Sequence, residues 1–395
     1  MCSTLKQFEQ SDMLKRLPDQ FFAKLTVKAA QAIKDGYDVI NLGQGNPDQP
    51  TPAHIVQALQ QAAENPQTHK YSLFRGYAHV REAIARFYQR EYNVTLDPDR
   101  EVAILFGGKI GLVEVSQCLL NPRDVALVPD PGYPDYWSGI AMAQAQMALM
   151  PLRAENGFLP DYRDIPKDIL NKAKLMFLNY PNNPTAAVAT RSFFEDTVAL
   201  ADRHHICVVH DFAYGALGYD GHRPLSFLQI PGAKETGIEI YTLSKTYNMA
   251  GWRVAFAVGN ASVIESINLI QDHYFCSLFG GIQEAAAAAL LGPQDSVREL
   301  VKLYESRRDA LMTALKDIGW EARTPKGSFF VWLPIPKGFT SAELADYFFE
   351  QVHVVVAPGI GFGKQGEGYV RMGLVSETER LLEAVQRIGQ LHLFA

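Results

Sequence analysis

The sequence predicts an α/β fold in which a large domain, built on a central and mainly parallel seven-stranded sheet, is joined to a smaller α+β domain. Between residues 102 and 258, short apolar segments rich in β-branched residues alternate with helical segments, the pattern of a layered α/β domain. After about residue 295 the pattern changes to one long helix followed by shorter strands and helices. The chain of 395 residues is also longer than a chain that usually folds around a single hydrophobic core, so two domains are expected.

Composition and charge narrow the class of protein. Apolar residues make up 47% of the chain and charged residues 20%, as in soluble globular proteins. The formal net charge of −6 shows no basic excess, which argues against a nucleic-acid partner. The four cysteines are scattered, which favours a reducing compartment and no bound metal. No secretory signal and no apolar run of about 18 residues is present, so we expect a cytoplasmic protein without a membrane span.

The first elements in the chain precede the sheet. Apolar residues at helical spacing over 20–35 predict an amphipathic helix that ends at Gly36. A short strand from residue 39 then enters a Gly/Pro loop that reaches residue 48. Two more helices are expected, one starting at Thr51-Pro52 and one over 77–92. We assign residues 1–48 to an N-terminal segment that joins the small domain.

The remaining elements divide between the two predicted domains. The large domain, 49–295, contains seven strand candidates, at 102–106, 125–129, 147–151, 174–178, 206–210, 238–243 and 254–258. The small domain, 296–395, contains helices at 296–318, 341–351 and 376–393 and strands at 328–333, 354–357 and 369–373. Each strand candidate is a short apolar run bounded by turn residues.

Lys245 follows the buried strand predicted over 238–243. Open α/β sheets bind ligands at the edge where such strands end, and a partly desolvated amine there becomes a nucleophile that can form a Schiff base. A solvated lysine after a strand is the alternative. Thr242, Ser244 and Arg253 favour the functional interpretation, because hydroxyl groups and a guanidinium suit a phosphate. Lys245 is therefore a candidate lysine for pyridoxal phosphate (PLP).

Three further loops follow strand candidates. Gly108 and Lys109 lie in a glycine turn whose backbone N–H groups favour anions, although glycine turns are common. Asn183 offers an amide that can donate to a phenolate oxygen, unless it only forms an Asn-Pro turn. Asp211 ends an apolar strand, where a protonated pyridine nitrogen would partner its carboxylate, with Tyr214 in reach. Asp211 could instead cap the next helix.

Together these residues resemble the fold-type I enzymes that depend on PLP, specifically the class I/II aminotransferases, from about residue 39 to residue 371. The resemblance implies that Lys245 is the Schiff-base lysine and that Asp211 partners the pyridine nitrogen. It implies that Asn183 and Tyr214 bond the ring hydroxyl. The other cofactor-binding residues that it implies are Thr242, Arg253, Gly108 and Lys109 at the phosphate and Tyr133 stacked on the ring.

The same resemblance implies a substrate clamp and a homodimer. Arg371 matches the arginine that holds the substrate α-carboxylate, and Gly43 matches the backbone that closes over it. Tyr71 matches a tyrosine that reaches the phosphate of the neighbouring subunit, which implies shared active sites. The family usually has Asn-Pro-Thr-Gly where this chain has Ala186 in place of the glycine. Alanine at positive φ would cost about 1 kcal/mol, so we expect a turn without positive φ at this residue.

The implied function is exchange of amino and oxo groups between an amino acid and a 2-oxo acid. The segments 42–52 and 210–215 are most similar to the methionine-salvage aminotransferases, which aminate 4-methylthio-2-oxobutyrate. Segment 271–279, where dicarboxylate enzymes supply a second arginine from the partner, holds no arginine or lysine, so a neutral side chain is expected. The alternatives are a PLP-dependent carbon–sulfur β-lyase and a PLP-fold DNA-binding regulator. The regulator would need an added basic domain, and the residues before 39 are few and not basic.

Overall fold

The computed structural model of the protein describes residues 6, 8–18 and 21–394, with residues 21–25 described by backbone alone. Part of the predicted N-terminal segment, residues 1–5, 7, 19 and 20, lies outside this range. The described helices are α1 (Phe21–Lys34), α2 (Ala53–Glu64), α3 (Ala78–Tyr92), α4 (Gly108–Leu119), α5 (Asp135–Met142), α6 (Lys167–Leu170), α7 (Arg191–His204), α8 (Ala233–Thr236), α9 (Leu243–Thr246), α10 (Ala261–Tyr274), α11 (Gly280–Leu291), α12 (Asp295–Asp317), α13 (Ser341–Val352) and α14 (Thr378–Gly389). None of these described helices is both long and apolar enough to cross a membrane.

The strands agree closely with the sequence-based candidates. They are β1 (Ile40–Asn41), β2 (Val102–Leu105), β3 (Val125–Asp130), β4 (Gln146–Pro151), β5 (Ala173–Asn179), β6 (Cys207–Asp211), β7 (Gly237–Thr242), β8 (Ala255–Gly259), β9 (Phe330–Pro334), β10 (Val354–Val355), β11 (Ala357–Pro358) and β12 (Tyr369–Gly373). The strand predicted over 354–357 is divided between β10 and β11, because its two halves pair with different partners.

Seven strands form one sheet in the order β2-β8-β7-β6-β5-β3-β4. All neighbouring pairs are parallel except those that involve β8, which runs antiparallel to both β2 and β7. Helices cover both faces, so strands such as β3, β7 and β8 are buried along their whole length. The predicted α/β fold with a mainly parallel seven-stranded sheet is confirmed.

Side chains of successive strand residues reach opposite faces of this sheet. In β7, Ile238 and Ile240 pack with residues of α4 and α10, whereas Tyr241 packs with Phe87 and Tyr88 of α3 on the other face. The sheet is therefore held from both sides by packed helices.

A separate core packs around the C-terminal elements. Strands β11, β12 and β9 form an antiparallel sheet, and β1 pairs in parallel with β10. Residues of α12, α13 and α14 cover these strands, as Leu311, Leu344 and Leu381 illustrate. The division into 1–48, 49–295 and 296–395 stays a prediction, which the pairing of β1 with β10 supports for the N-terminal segment.

Candidate active site

The strand directions bring the predicted site residues to one edge of the sheet. The parallel strands β2, β5, β6 and β7 all end at that edge. Because β8 is antiparallel, it begins there instead. Leu105 and Thr242 are both in register with Ala255, the first residue of β8. Arg253, two residues before β8, therefore meets the loops that follow β2 and β7.

A cavity of about 490 Å³ lies at this edge, between the seven-stranded sheet and the elements around β12. The sequence-predicted residues that line it are Gly43, Gly108, Lys109, Tyr133, Asn183, Asp211, Tyr214, Thr242, Ser244, Lys245, Arg253 and Arg371. Tyr71 is the exception: its side chain is 90% exposed and does not line the cavity.

Lys245 is not a solvated lysine. It lies in the one-turn helix α9, and its Nζ donates a hydrogen bond to Gly45 O at 2.8 Å. Burial, together with the charges of Arg371 and Arg253, lowers the pKa of Lys245 from 10.5 to about 8. About a tenth of the amine is therefore unprotonated at pH 7, far more than in a solvated lysine, and this is the form that a nucleophile requires.

A candidate anion site lies where β2, β7 and β8 meet. Helix α4 begins at Gly108, so its free N–H groups face the cavity. Thr242 donates a hydrogen bond to Ser244 Oγ at 2.8 Å and accepts one from Ser244 N at 3.2 Å. Gly107 has φ +91°, and a Cβ there would collide with the guanidinium of Arg253. The close approach of backbone and guanidinium therefore depends on glycine at this position.

Lys109 lines the same part of the cavity, but its charge is shared. Its Nζ lies 3.0 Å from Asp135 Oδ2, and the lysine side chain is about half exposed. An exposed ion pair of this kind contributes little free energy. Arg253 is therefore the stronger cation at the anion site.

Asp211 is a buried carboxylate at the end of β6. Tyr136 Oη donates to Asp211 Oδ2 at 2.8 Å, and Asn179 Nδ2 donates to the Asp211 carbonyl at 2.7 Å. Burial raises the pKa of Asp211 to about 6, although the Tyr136 hydrogen bond acts in the opposite direction. The alternative that Asp211 caps the next helix is wrong, because a turn follows β6 and the next α-helix described begins at Ala233.

Arg371 is held in a largely apolar wall of the cavity. It lies in the central strand β12, and its guanidinium carbon is 3.9 Å from the ring centroid of Phe330. Its Nη1 donates to Asn183 Oδ1 and its Nη2 to Gly43 O, both at 2.7 Å. Burial lowers the pKa of Arg371 from 12.5 to about 10. A buried guanidinium with a fixed fork is suited to a carboxylate ligand.

The turn after Asn183 differs from the sequence-based expectation. Ala186 has φ +58°, so the prediction that this residue avoids positive φ is wrong. Two backbone hydrogen bonds close the turn, from Ala186 N to Asn182 O at 3.0 Å and from Asn182 N to Ala187 O at 2.8 Å. The turn is buried, and these hydrogen bonds with the surrounding packing impose the conformation despite a cost of about 1 kcal/mol.

Two groups aimed at the cavity have unused hydrogen-bonding capacity. Among the described residues, neither the Tyr214 hydroxyl nor the side-chain NH₂ of Asn183 has a hydrogen-bond partner, although both side chains are buried and line the cavity. Tyr133 lines it as well, and its ring packs edge-on against Tyr136 at 5.8 Å between centroids. Buried polar groups are normally bonded, so an unused donor here is typical of a ligand site.

Sequence reasoning missed the residues that act through backbone atoms or from a distance. Gly45 accepts from Lys245 and Tyr136 donates to Asp211. Asn179 connects Asp211 to Asn183, whose backbone N donates to Asn179 Oδ1 at 2.7 Å. Tyr136 lies three residues after Tyr133, and Asn179 is the polar end of an apolar strand, so both carried a weak local signal. Gly45 carried none that distinguished it from Gly43.

Comparison with known proteins agrees with this geometry. The model of the family described as aminotransferase class I and II matches residues 37–388. The chain is 63% identical over 388 residues to the L-glutamine–4-(methylsulfanyl)-2-oxobutanoate aminotransferase of Bacillus subtilis (strain 168), covering 98% of each chain. It is 53% identical over 386 residues to transaminase BacF of the same organism, covering 97% of this chain and 96% of that protein.

The solved structures give the same result. The substrate-bound structure of BacF from Bacillus subtilis matches with a TM-score of 0.96 at 50% identity, covering 98% of this chain and 99% of that chain. The fold-type I architecture expected from the sequence is confirmed. These relatives are named aminotransferases or transaminases, and nothing supports the β-lyase alternative. A family match over 37–388, together with relatives of this identity and coverage, establishes that the chain belongs to the class I and II aminotransferases.

Proposed function

We propose that the chain binds PLP at Lys245 and transfers amino groups between neutral amino acids and 2-oxo acids, with methionine and 4-methylthio-2-oxobutyrate as the best substrate pair. One observation carries the proposal: a buried carboxylate, a lysine of lowered pKa and an anion site line a single cavity, at Asp211, Lys245 and Arg253.

The free cysteines Cys118, Cys207 and Cys276 support a place in the reducing cytoplasm.

The residues around the cavity fit the chemical groups of PLP. The α4 N-terminus, Thr242, Ser244 and Arg253 suit its phosphate, with Lys109 as a second cation. The buried Asp211 carboxylate suits a protonated ring nitrogen, which would remove the penalty that raises its pKa. The unused donors of Asn183 and Tyr214 suit a ring oxygen. When bound, PLP supplies an electron sink for the electrons of the substrate Cα–H bond.

Residues of the chain itself then bind and orient the substrate and move a proton. Arg371 holds the substrate α-carboxylate by its guanidinium fork, and the Gly43 backbone closes over the same group. The Lys245 amine would accept the proton that leaves the substrate Cα. Its lowered pKa favours the unprotonated form that must accept this proton. Asp211 would hold a protonated ring nitrogen, and Tyr133 would contact the ring.

The charges along the cavity favour a neutral substrate side chain. Its described lining contains four cations, namely Lys109, Lys245, Arg253 and Arg371. Lys109 pairs with Asp135, and the other three serve the phosphate, the reacting carbon and the α-carboxylate. None is left for a second substrate carboxylate. The name of the Bacillus subtilis relative, which pairs glutamine with 4-(methylsulfanyl)-2-oxobutanoate, supports a thioether substrate and glutamine as a donor.

Substrate preference tests this proposal. We expect kcat/KM for methionine to exceed that for aspartate at least about tenfold, because a distal carboxylate would lose its hydration without gaining a cation. Leucine, phenylalanine and glutamine should also react, since an apolar pocket separates similar side chains only about 10–200-fold. The measurement is kcat/KM for each amino acid with a common oxo-acid acceptor. A tenfold preference for aspartate would contradict the neutral-substrate assignment and require a cation from another chain.

We also propose that two copies of the chain share their active sites, with Tyr71 of each copy serving the other. The exposure of Tyr71 and its position outside the cavity of its own chain support this arrangement. Other exposed apolar side chains near it, Leu73 and Phe74, would be covered by the same contact.

Mixing two defective variants tests the shared site. Tyr71→Ala and Lys245→Ala subunits, exchanged at equal amounts, should form hybrids with one site that has both residues intact. We expect activity to rise to about a quarter of the wild-type value, because half of the dimers are hybrids with one good site each. Subunit exchange is verified with two affinity tags. Absence of any gain in verified hybrids would refute the contribution of Tyr71 from the partner.

A further inference from the structure

His210 and Glu239 form a fully buried pair inside the seven-stranded sheet. His210 lies in β6 directly before Asp211, and Glu239 is its register partner in β7. His210 Nδ1 is 2.7 Å from Glu239 Oε1, and both side chains are 0% exposed. Two ionisable groups in a strand interior are costly unless all of their hydrogen bonds are made. Nothing in the proposed chemistry uses either group directly.

Glu239 accepts as many hydrogen bonds as a carboxylate can. Tyr88 Oη donates at 3.0 Å, Ser226 Oγ at 2.6 Å and the Phe227 backbone N at 2.5 Å, in addition to His210 Nδ1. A carboxylate accepts about four hydrogen bonds, so the group is satisfied as an acceptor. His210 Nδ1 must therefore carry its proton, and the orientation of the imidazole is fixed from this side.

The other ring nitrogen holds the backbone of Tyr180. His210 Nε2 lies 3.0 Å from Tyr180 O and 3.3 Å from Tyr180 N. A neutral ring accepts from the amide, and a doubly protonated ring donates to the carbonyl. Tyr180 is held in either case. This residue directly follows β5 and begins the loop that reaches Asn183, whose Oδ1 accepts from Arg371 at 2.7 Å.

We propose that His210 is a positioning residue for the substrate carboxylate and the ring oxygen of the cofactor. By bonding Glu239 and Tyr180, it fixes the loop after β5 against the β6–β7 pair, and so places Asn183 against Arg371. The inference rests on the proposed function, because it extends the roles given there to Asn183 and Arg371. His210 reaches no reacting atom itself. Asn179 is a second anchor of this loop, so loss of His210 should loosen the loop rather than unfold it.

Two substitutions at His210 separate its two bonds. The amide of His210→Asn occupies the position of Nδ1, so it can still donate to Glu239 but no longer reaches Tyr180. The longer His210→Gln keeps a polar group near the Nε2 position, within reach of the Tyr180 backbone. Tyr88→Phe is the matched control, because it removes a different buried donor from the same carboxylate, away from the loop.

Two measurements on PLP-loaded protein do not depend on turnover. The first is the dissociation constant of 3-(methylsulfanyl)propanoate, a thioether carboxylate without an amine, followed by absorbance of the bound cofactor. We expect His210→Asn to raise it about tenfold through the displaced Arg371–Asn183 pair. The second is the pH midpoint of the absorption change of the bound cofactor. We expect this midpoint to rise by about half a pH unit or more in His210→Asn, because the hydrogen bond that Asn183 would donate to the negatively charged ring oxygen is weakened.

The control variants decide between positioning and stability. Tyr88→Phe should lower the unfolding temperature comparably to His210→Asn but change the dissociation constant less than about threefold and leave the midpoint in place. Parallel changes in both variants would overturn the inference, because His210 would then act through stability alone. If His210→Asn does not fold, His210→Gln decides: retention of binding within about threefold supports the Tyr180 link, and a tenfold loss overturns it.

Asn183→Ala separates this inference from the proposed function. It should reproduce both changes, with larger effects than His210→Asn. If Asn183→Ala alters neither quantity, the roles proposed for Asn183 are wrong, and the inference about His210 is overturned with them.

Discussion

Lys245→Ala is expected to lower kcat at least about ten-thousandfold, because the amine that moves the proton and holds the cofactor is removed. Borohydride reduction should then leave no cofactor attached to the chain, as mass spectrometry would show. Lys109→Ala is the matched control, since it removes a second lysine of the described cavity lining. It should keep the reducible attachment and weaken cofactor binding only about tenfold or less, because Lys109 is half exposed and paired with Asp135.

The pH dependence of this attachment follows from the burial of Lys245. Its pKa is lowered to about 8, so the reactive unprotonated amine forms about two pH units earlier than in a solvated lysine. In cofactor-free protein, borohydride trapping of a small aldehyde should therefore rise through about pH 8, after subtraction of the Lys245→Ala background. A rise only near the ordinary value of 10.5 would contradict this environment, and attachment at normal stoichiometry in Lys245→Ala would refute the assignment.

Asp211→Asn is expected to lower kcat at least about hundredfold while PLP still binds, because a neutral amide cannot stabilise a protonated ring nitrogen. Asp130→Asn is a matched control. Asp130 ends the parallel strand β3, is also buried with a raised pKa, and accepts a hydrogen bond from Gln365 N. Its replacement should cost less than about tenfold in kcat, since Asp130 does not line the cavity. Equal losses of kcat in the two variants would show that Asp211 has only a structural role.

The stability of the cofactor-free protein gives an independent test of Asp211. Burial raises its folded-state pKa from 3.8 to about 6, so the unfolded chain releases this proton at lower pH. The contribution of Asp211 to stability therefore decreases between about pH 4 and pH 6 and stays low above that range. Cofactor-free Asp211→Asn should thus unfold at pH 7.5 at a temperature no lower than the wild type. A clear decrease, with near-normal turnover, would contradict a functional carboxylate.

The secondary structure could be predicted because its signals are local. All seven strands of the large sheet begin and end within about two residues of the apolar runs that predict them. The direction of β8 could not be predicted. It depends on pairing with β2, which lies about 150 residues earlier in the chain, as well as with β7. That direction brings Arg253 to the site, since a parallel β8 would begin at the opposite edge.

Most of the predicted site residues line one cavity, whereas the hydrogen bonds that connect them could not be predicted. Lys245 and Asn183 follow buried strands, Asp211 ends one, and a family motif identifies all three. Their partners come from distant parts of the chain, and Gly45 O and Arg371 could not be paired with them from spacing alone. Ala186 shows the same limit: the substitution was visible in the sequence, whereas its positive φ is set by the buried turn around it.

The sequence by itself determined the α/β class, the strand positions, the family and the residue types available for chemistry. Apolar periodicity and motif spacing carry this information because they depend only on near neighbours. Only the tertiary structure decided which charges face one another and how deeply they are buried. Desolvation moves the pKa values of Lys245, Asp211 and Arg371, and the charge of Arg371 also lowers that of Lys245; both effects exist only once distant segments enclose a common cavity.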